Sequence, residues 1–300
     1  MYIREAAADA IRLAVKKTFP VWERLGIHVT PNHFYEPIPD TRRLSDNLWT
    51  SPSALVGLQM NEEGQRRLLE AFSSNSRSEY EDFPKDSTPV PYRYYVNNCG
   101  FGGMDGELLY CIIRHFRPRK IIEIGSGNST YLSAQAILKN VEDKNGYECE
   151  LTAIEPYPNP VLKKGFPGLT RLVQKRIQDV PFSEFEKLGE NDILFIDSSH
   201  VLKIGSDVQY EYLEILPRLR KGVLVHSHDI FLPSEYRKDW VLKNHIFWTE
   251  QYLLQAFMAF NDSFEVVLAA SYIHVMHPEW LESAFGSCSR GCSFWMRRTR

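Results

Sequence analysis

The sequence predicts an α/β fold in which a mostly parallel β-sheet has helices on both faces, a doubly wound arrangement. Three observations support this prediction. Residues 120–135, KIIEIGSGNSTYLSAQ, have the pattern of a buried strand, a glycine turn and the start of a helix. Further short apolar runs alternate with helical patterns along the chain, as in parallel sheets. Several of these runs end in polar side chains, which is typical of the ligand-binding edge of such a sheet.

The stretch at residues 120–135 also predicts a site for a polar ligand. Its apolar run, residues 121–124, is rich in β-branched residues and is too short for an independent helix. The turn GSG at residues 125–127 follows directly, and Ser129 or Thr130 can cap the helix that begins there. A helix N-terminus presents free N–H groups and the positive end of its dipole, so polar ligands bind well at such a turn.

The remaining elements follow in order along the chain. Further strands are predicted at residues 151–155, 170–174, 192–197, 222–226, 264–270 and 293–297. Helices are predicted at residues 61–72, 105–116, 207–219 and 249–260. Residues 73–91 are polar and contain prolines, which predicts a loop. The last two strands are separated by a loop of roughly twenty residues without a clear helical pattern, so we expect them to pair antiparallel.

The predicted domain organisation is an N-terminal helical and loop extension, residues 1–91, followed by the main α/β domain, residues 92–300. An amphipathic helix is predicted at residues 3–17. Residues 33–44, HFYEPIPDTRRL, combine polar and aromatic side chains with two prolines that restrict the backbone. This segment is either a rigid connector or a lid over a substrate pocket, since long ordered loops are often functional.

Composition argues against several classes of protein. The 300 residues are 43% hydrophobic, and a formal charge of −3 argues against a dedicated nucleic-acid binder. No apolar run reaches membrane-spanning length, and the N-terminus lacks the apolar core of a secretory signal. Five scattered cysteines predict reduced thiols and a cytoplasmic protein. Cys288 and Cys292 have C-x-x-x-C spacing, but no second pair completes a zinc set, which predicts a plain loop.

Two cofactors compete for the glycine turn. A dinucleotide fold requires G-x-G-x-x-G, and Thr130 stands where the third glycine belongs, which argues against an NAD(P)-dependent oxidoreductase. An acid inside the strand followed by G-x-G resembles the first motif of class I S-adenosylmethionine (SAM) methyltransferases. The resemblance implies SAM as cofactor and a seven-stranded sheet of order 3-2-1-4-5-7-6. It also implies cofactor-binding roles for Glu123, Gly125, Ser126, Gly127, Ser129 and Thr130.

Two acids that follow the second and third predicted strands extend the cofactor assignment. Glu155 ends a strand, where a carboxylate can accept both hydroxyl hydrogens of a ribose, and a helix cap is the alternative. Asp179 lies in a segment that resembles the part of SAM methyltransferases that brackets the adenine. A solvated loop acid is an equally good interpretation of Asp179.

A second motif lies at residues 196–233, which run from IDSSH to VHSHDIFLP. It resembles a methyltransferase subfamily that includes antibiotic-sugar O-methyltransferases and cephalosporin-pathway enzymes. This resemblance implies His200 and Asp197 as catalytic residues, with His200 as general base. It implies a divalent cation, such as Mg²⁺, at Asp197, His228 and Asp229. His228 replaces a carboxylate of some relatives, which leaves one negative charge fewer for a hard cation. The alternative is structural, with His200 as a helix cap and Asp197 bonded to a turn.

The predicted function is SAM-dependent O-methylation of a small hydroxylated metabolite. In-line methyl transfer requires an aligned and deprotonated nucleophile, and a histidine is suited to that proton transfer. Tyr236, Trp240 and Trp248 are candidates for a wall of the substrate pocket. The alternatives are an NAD(P)-dependent oxidoreductase and a non-catalytic SAM-binding or interaction module. We expect a small-molecule substrate and no nucleic-acid or membrane partner, and the sequence leaves a homo-oligomer open.

Overall fold

The computed structural model describes the backbone of residues 2–75 and 77–300 and the side chains of residues 10–74 and 77–300. Within these residues, seven strands form a single sheet. The strands are β1 (Lys120–Ile124), β2 (Glu150–Ile154), β3 (Arg171–Val173), β4 (Ile193–Ile196), β5 (Leu224–Ser227), β6 (Phe264–Ala269) and β7 (Phe294–Arg298). Their order is β3-β2-β1-β4-β5-β7-β6, with β1 to β5 parallel and β7 antiparallel to β5 and β6. This confirms the predicted doubly wound, mostly parallel seven-stranded sheet.

Helices occupy the connections between the strands and the N-terminal region. They are α1 (Tyr2–Arg24), α2 (Asn47–Thr50), α3 (Glu62–Asn75), α4 (Arg77–Glu81), α5 (Gly103–Phe116), α6 (Asn128–Asp143), α7 (Pro160–Lys164), α8 (Asp207–Tyr210), α9 (Lys238–Leu242), α10 (Glu250–Met258), α11 (Ala270–Met276) and α12 (Pro278–Phe285). Short 3₁₀ turns lie at Thr41–Arg43, Ile177–Asp179, Phe182–Lys187 and Leu216–Arg218, and a π-helical turn lies at Glu211–Ile215.

Two segments predicted as loops contain helices, so both predictions were wrong. The connection between β6 and β7 contains α11 and α12, which bury Ile273 and Leu281, and Pro278 occupies the first position of α12. Residues 73–91 contain α4, whose buried Tyr80 shares a hydrogen bond of 3.0 Å with the Tyr94 hydroxyl. These helices are short and are stabilised by tertiary packing, so the sequence shows no long apolar period at these places.

The helix predicted at residues 207–219 is not uniform. α8 continues into the π-helical turn Glu211–Ile215 and then into a 3₁₀ turn that contains Pro217, which lacks a backbone N–H donor. Tyr212, in the π-helical turn, is fully buried, and its hydroxyl lies 2.9 Å from that of Ser227 at the end of β5. Single π-helical turns are frequent at functional sites. The irregular helix therefore contacts the carboxyl edge of the sheet.

The carboxyl ends of β1, β4 and β5 meet at one edge of the sheet. The strand ladder continues one residue beyond β4 and β5, because the N–H of Asp197 donates to Ile124 and the N–H of His228 donates to Ile196, at 2.9 and 3.0 Å. The N–H of Gly125 donates in the same way to Ile154, at 3.0 Å. The first residue of each following loop is therefore fixed by the sheet itself.

Two compact units make up the chain. The first comprises the described residues up to Ser51 together with Arg237–Phe247, and the second comprises Pro52–Tyr236 and Trp248–Arg300 and contains the sheet. Residues 33–44 lie in the first unit, and their role as a lid or connector stays a prediction, as does the domain boundary after residue 91. None of the helices in the described residues combines the length and apolar character that crossing a bilayer requires.

Asp192 aligns the start of β1 with the start of β4, so its removal should destabilise the sheet. Its carboxylate accepts the N–H groups of Arg119, Lys120 and Gly189 at 2.8 to 2.9 Å. We expect Asp192→Ala to lower the free energy of unfolding by about 1–3 kcal/mol, because three backbone N–H groups lose their common acceptor. Urea unfolding would measure the change. Asp262→Ala, at an exposed ion pair, is the control and should change stability by less than about 0.5 kcal/mol; equal effects would contradict the prediction.

Candidate active site

Gly125 allows β1 and β4 to approach closely at their carboxyl ends. Its φ of +80° lies in the left-handed region, and a Cβ there would lie 1.8 Å from the backbone oxygen of Asp197. The resemblance implies a cofactor-binding role for Gly125, and the structure shows that the backbone of Asp197 occupies the space that a side chain would need. Gly127 is not constrained in this way. A Cβ at Gly127 would point into open space beside the turn and would meet no atom within 4 Å.

Glu123 lies in the middle of β1 and is fully buried. Burial raises the pKa of its carboxyl to about 8, although the Ser129 hydroxyl, which donates to Oε1, favours the charged form. Oε2 of Glu123 and the hydroxyl of Ser126 are both buried and have no hydrogen-bond partner among the described residues. Unpaired polar atoms of this kind are costly unless a ligand satisfies them. The turn after β1 therefore fits the polar, methionine part of SAM.

The hydroxyls of Ser129 and Thr130 stabilise the glycine turn after β1 through hydrogen bonds within the protein. Helix α6 begins at Asn128, and Thr130 accepts the N–H of Gly127 at 3.0 Å. Of the two predicted capping residues it is therefore Thr130 that caps the helix, whereas Ser129 donates to Glu123. Both side chains are buried, and the hydrogen bonds they make are to the protein. Any effect of these two residues on a cofactor would act through Glu123 and the backbone of Gly127.

Glu155 and Asp179 lie after β2 and β3. Glu155 is half-buried, and its Oε1 accepts the N–H of Tyr157 at 2.8 Å, which matches a carboxylate at the end of a strand. Asp179 is exposed in a 3₁₀ turn and pairs with the Arg176 guanidinium at 3.0 Å. This pair is what the solvated-loop interpretation requires, and the adenine interpretation stays a prediction.

His200 is buried between three carboxylates. Its Nδ1 lies 2.8 Å from Glu250 Oε2, and its Nε2 lies 3.3 Å from Asp197 and 3.6 Å from Asp229. Burial disfavours the imidazolium, but the hydrogen bonds with Asp197 and Glu250 outweigh it and raise the pKa of His200 to about 10. The contact with Glu250 assigns Nε2 as the ring nitrogen that faces Asp197 and Asp229.

Glu250 was not predicted as a site residue, although it is fully buried beside His200. Its Oε1 accepts the hydroxyl of Tyr212 at 3.0 Å. The N–H groups of Thr249 and Glu250, at the start of α10, donate to the carbonyl of His200. In the sequence, an acid at the start of a helix is already explained by the helix dipole. Fifty residues separate Glu250 from His200, so no local pattern predicts the contact.

His228 joins Asp197 and Asp229 to a second group of donors. Its Nδ1 lies 3.4 Å from Asp197 and 3.7 Å from Asp229, whereas Nε2 faces Asp105 and Cys292. Burial opposes the charge on His228, but Cys292 and the carboxylates outweigh it and raise its pKa well above the usual value. The sequence analysis missed Asp105 and placed Cys292 in a plain loop; in the structure both lie beside His228.

The backbone at two of these residues is strained. His200 and Asp229 have φ values of +59° and +54°, in the left-handed region that residues with a Cβ seldom adopt. Such conformations cost about 1–3 kcal/mol each and cluster at functional sites. Both residues follow strands at the carboxyl edge of the sheet. The strain is independent support for a functional site there.

The donor set at Asp197, His228 and Asp229 does not match Mg²⁺. This cation prefers six oxygen ligands, and the predicted set offers two carboxylates and one ring nitrogen. The ring nitrogens of His200 and His228 also lie within 3.3 to 3.7 Å of the carboxylate oxygens and compensate their charge. We therefore derive no catalytic step through a cation at these residues, and the predicted metal site stays a prediction.

Aromatic side chains lie beside His200. The rings of His200 and Trp248 are 4.4 Å apart, and Tyr236 packs edge-on against Trp248 at 6.2 Å. The Tyr236 hydroxyl accepts the N–H of Gln251 at 3.0 Å. Trp240 lies in the first unit. Trp248 is therefore a predicted pocket aromatic that contacts His200 directly.

Comparisons with known proteins identify the family. A family model described as a methyltransferase domain matches residues 122–230, from β1 to the loop after β5. An uncharacterized protein of Archaeoglobus fulgidus is 34% identical over 171 residues, which are 54% of this chain and 75% of that protein. The SAH-bound methyltransferase PaMTH1 of Podospora anserina is 18% identical over 81% of this chain and 98% of its own, with a TM-score of 0.40. CmcI-D160 with Mg and SAM is 15% identical over 73% and 88%, with a TM-score of 0.32.

The fold and the site define a doubly wound enzyme whose ligand crevice lies at the carboxyl edge of the sheet, around the switch point between β1 and β4. The chain belongs to the class I SAM-dependent methyltransferases. This assignment confirms SAM as the cofactor and methyl transfer as the chemistry. The assignment therefore argues against the two alternative interpretations of the sequence, an NAD(P)-dependent oxidoreductase and a non-catalytic binding module.

The two glycines of the turn should respond differently to an added methyl group. Gly125→Ala should lower the free energy of unfolding by at least about 1–3 kcal/mol, because it combines an unfavourable φ with a backbone collision. Gly127→Ala should fold normally, because its φ of 178° suits any residue and the new Cβ meets no atom, yet it should weaken SAM binding. Urea unfolding and calorimetry would measure both effects. Normal SAM affinity of Gly127→Ala would exclude Gly127 from the cofactor site, and parental stability of Gly125→Ala would contradict the close approach.

Proposed function

We propose that the protein methylates a hydroxyl group of a small molecule and that His200 removes the hydroxyl proton. One observation supports this proposal most directly. His200 is held by the buried Glu250 through Nδ1, while Nε2 faces the edge of the sheet where β4 and β5 end. A nitrogen base that a carboxylate orients from behind is the arrangement by which enzymes fix the accepting atom of a histidine.

The cofactor pocket of this proposal lies between the ends of β1 and β2. Glu123 Oε2 and the Ser126 hydroxyl offer unpaired polar atoms to the methionine part, and Gly127 leaves the turn open. Glu155 offers a half-buried carboxylate to the ribose. SAM supplies an electrophilic methyl group on a sulfonium, so the protein needs to align and deprotonate the acceptor. Alignment alone lowers the barrier by several kcal/mol.

The proton on His200 sets the pH dependence of the proposed reaction. With a pKa of about 10, the ring is mostly imidazolium at neutral pH and cannot accept a proton until it loses its own. Asp197 after β4, Asp229 after β5 and Glu250 at the start of α10 face the ring and stabilise this charge. An acceptor that separates the ring from Asp197 and Asp229 would lower the pKa and release the base.

SAM should raise the melting temperature by mass action, and NAD should not. Glu155→Ala should weaken SAM binding by about 1–3 kcal/mol, the size of a lost charge-assisted hydrogen bond, without unfolding the domain. Asp262→Ala is a remote control and should bind SAM normally. Calorimetry measures the affinities. Unchanged affinity in Glu155→Ala would make this residue structural, and a Tm that rises with NAD rather than SAM would contradict the cofactor.

Turnover should rise with pH if His200 is the base. A labelled-methyl screen over metabolite extracts would first identify an acceptor. With that acceptor, kcat/KM should increase up to about pH 10, because deprotonated His200 becomes more abundant. Glu250→Gln should move this rise to lower pH, since it removes a negative charge that stabilises the imidazolium. Imidazole NMR shifts of His200 would report the same pKa without turnover.

Removal of the base should slow the reaction more than it changes binding. His200→Ala should reduce turnover by about 10²–10⁴-fold while SAM affinity changes little. His28→Ala, at an exposed histidine of the first unit, is the matched control and should have normal turnover. Near-normal turnover of His200→Ala, or a pH profile that falls through the alkaline range, would remove His200 from the mechanism and leave the methyltransferase assignment intact.

A further inference from the structure

Three side chains with different ligand chemistry converge beside the active site. Cys292 Sγ lies 3.3 Å from Asp105 Oδ2 and 3.5 Å from His228 Nε2, and these two atoms are 3.8 Å apart. The three residues come from α5, from the loop after β5 and from the residues before β7. Among the described residues, they are the group of histidine, cysteine and acidic side chains whose donor atoms lie close enough to share one metal ion.

The separations match those that a tetrahedral cation requires. Zinc lies about 2.3 Å from sulfur and about 2.0–2.2 Å from nitrogen and oxygen ligands, so tetrahedral donors are about 3.4–3.6 Å apart. The three measured distances lie within about 0.2 Å of this range. Asp229 Oδ1 is 3.3 Å from the same sulfur and is placed to be a fourth donor.

The surrounding backbone holds the three donors in place. Asp105 is buried in the first turn of α5, and its Oδ1 accepts the N–H groups of Cys292 and Ser293 at 2.9 and 2.8 Å. Gly291 permits this approach, because a Cβ there would lie 3.0 Å from Asp105 Oδ1. Oδ2 of Asp105 also accepts the N–H of Cys292, at 3.1 Å, and faces Cys292 Sγ and His228 Nε2. The site is therefore built by backbone contacts that link residues 187 positions apart in sequence.

The donor set selects the kind of cation. Thiolate and imidazole ligands favour zinc and similar borderline cations, whereas Mg²⁺ prefers oxygen ligands. Ligating histidines usually direct their second ring nitrogen at a carboxylate, which fixes the tautomer. His228 approaches this arrangement, because its Nδ1 lies at an ion-pair distance of 3.4 Å from Asp197, without a formed hydrogen bond. The side chains around His228 thus provide both ligands and an outer partner.

We propose that Asp105, His228 and Cys292 bind one thiophilic divalent cation, with Zn²⁺ as the reference ion. Binding releases the thiol proton of Cys292 and the Nε2 proton of His228 to solvent, and the metal–thiolate and metal–imidazole bonds form in their place. His228 ligates through Nε2, and its Nδ1 proton faces Asp197. This site uses the opposite nitrogen of His228 from the predicted magnesium site and does not depend on methyl transfer.

Cobalt absorption tests the site directly. The 300-residue protein, treated with chelator and then dialysed, should bind Co²⁺ one-to-one and show the near-ultraviolet thiolate-to-cobalt charge-transfer band. Cys292→Ser should abolish the band, and the exposed Cys288→Ser, four residues earlier, should retain it. Added Zn²⁺ should remove the band in the parent protein, and Mg²⁺ in excess should not. Asp197→Asn should weaken binding by about 10–100-fold, the effect of a lost outer partner.

Several outcomes would overturn the proposal. A band that persists in Cys292→Ser, or the absence of bound Co²⁺ and Zn²⁺ in the parent, would show that the three side chains form only a hydrogen-bonded cluster. Thermal unfolding shows whether each variant is folded, and Zn²⁺ should raise the Tm of the parent and of Cys288→Ser but not that of Cys292→Ser. SAM calorimetry on the same samples reports the methyltransferase function separately, so either conclusion can fail without the other.

Discussion

Backbone hydrogen bonds that extend the parallel ladder beyond its strands determine where the functional side chains lie. The amide of Asp197 continues β4 beside β1, and the amide of His228 continues β5 beside β4. Gly125 is what allows the first of these contacts, because any other residue would place a Cβ against the carbonyl of Asp197. Side chains that follow three different strands are therefore brought to one place before any side-chain contact forms. The turn after β1 and the cluster around His200 share this dependence.

Opposite charges are paired within the site, where four carboxylates surround two imidazoles. Two imidazoles lie among carboxylates in a region with little solvent, so the protonation of each ring depends on the other groups. Burial alone would keep the rings neutral and the acids protonated, and the mutual contacts reverse both tendencies for His200, His228 and Asp197. Removing one member would leave a buried charge uncompensated. The free-energy cost of that unpaired charge is larger than the net stabilisation that the pair contributed. The members of this cluster are Asp105, Asp197, His200, His228, Asp229 and Glu250.

Residues close to strand ends could be predicted from sequence, and those that arrive from distant segments could not. A short apolar run that ends in an acid predicts both a strand and the location of its last side chain, which is why Asp197 was found. Glu250 and Asp105 lie in the first turns of helices, where acids are common for local reasons. Cys292 was assigned to a plain loop because ligand spacing was sought within one segment, whereas its neighbours come from α5 and the loop after β5.

The π-helical turn at Glu211–Ile215 links the length of one helix to the orientation of the histidine. Each residue of an α-helix advances by about 100°, so an extra residue in one turn changes which side chains face the sheet. Tyr212 reaches both Ser227 and Glu250 from this turn. Evolutionary loss of a single residue there would restore a regular helix, rotate Tyr212 away and leave Glu250 without one of its donors. Insertions and deletions in this helix, far from the strand ends, can thus change how Glu250 is held against His200.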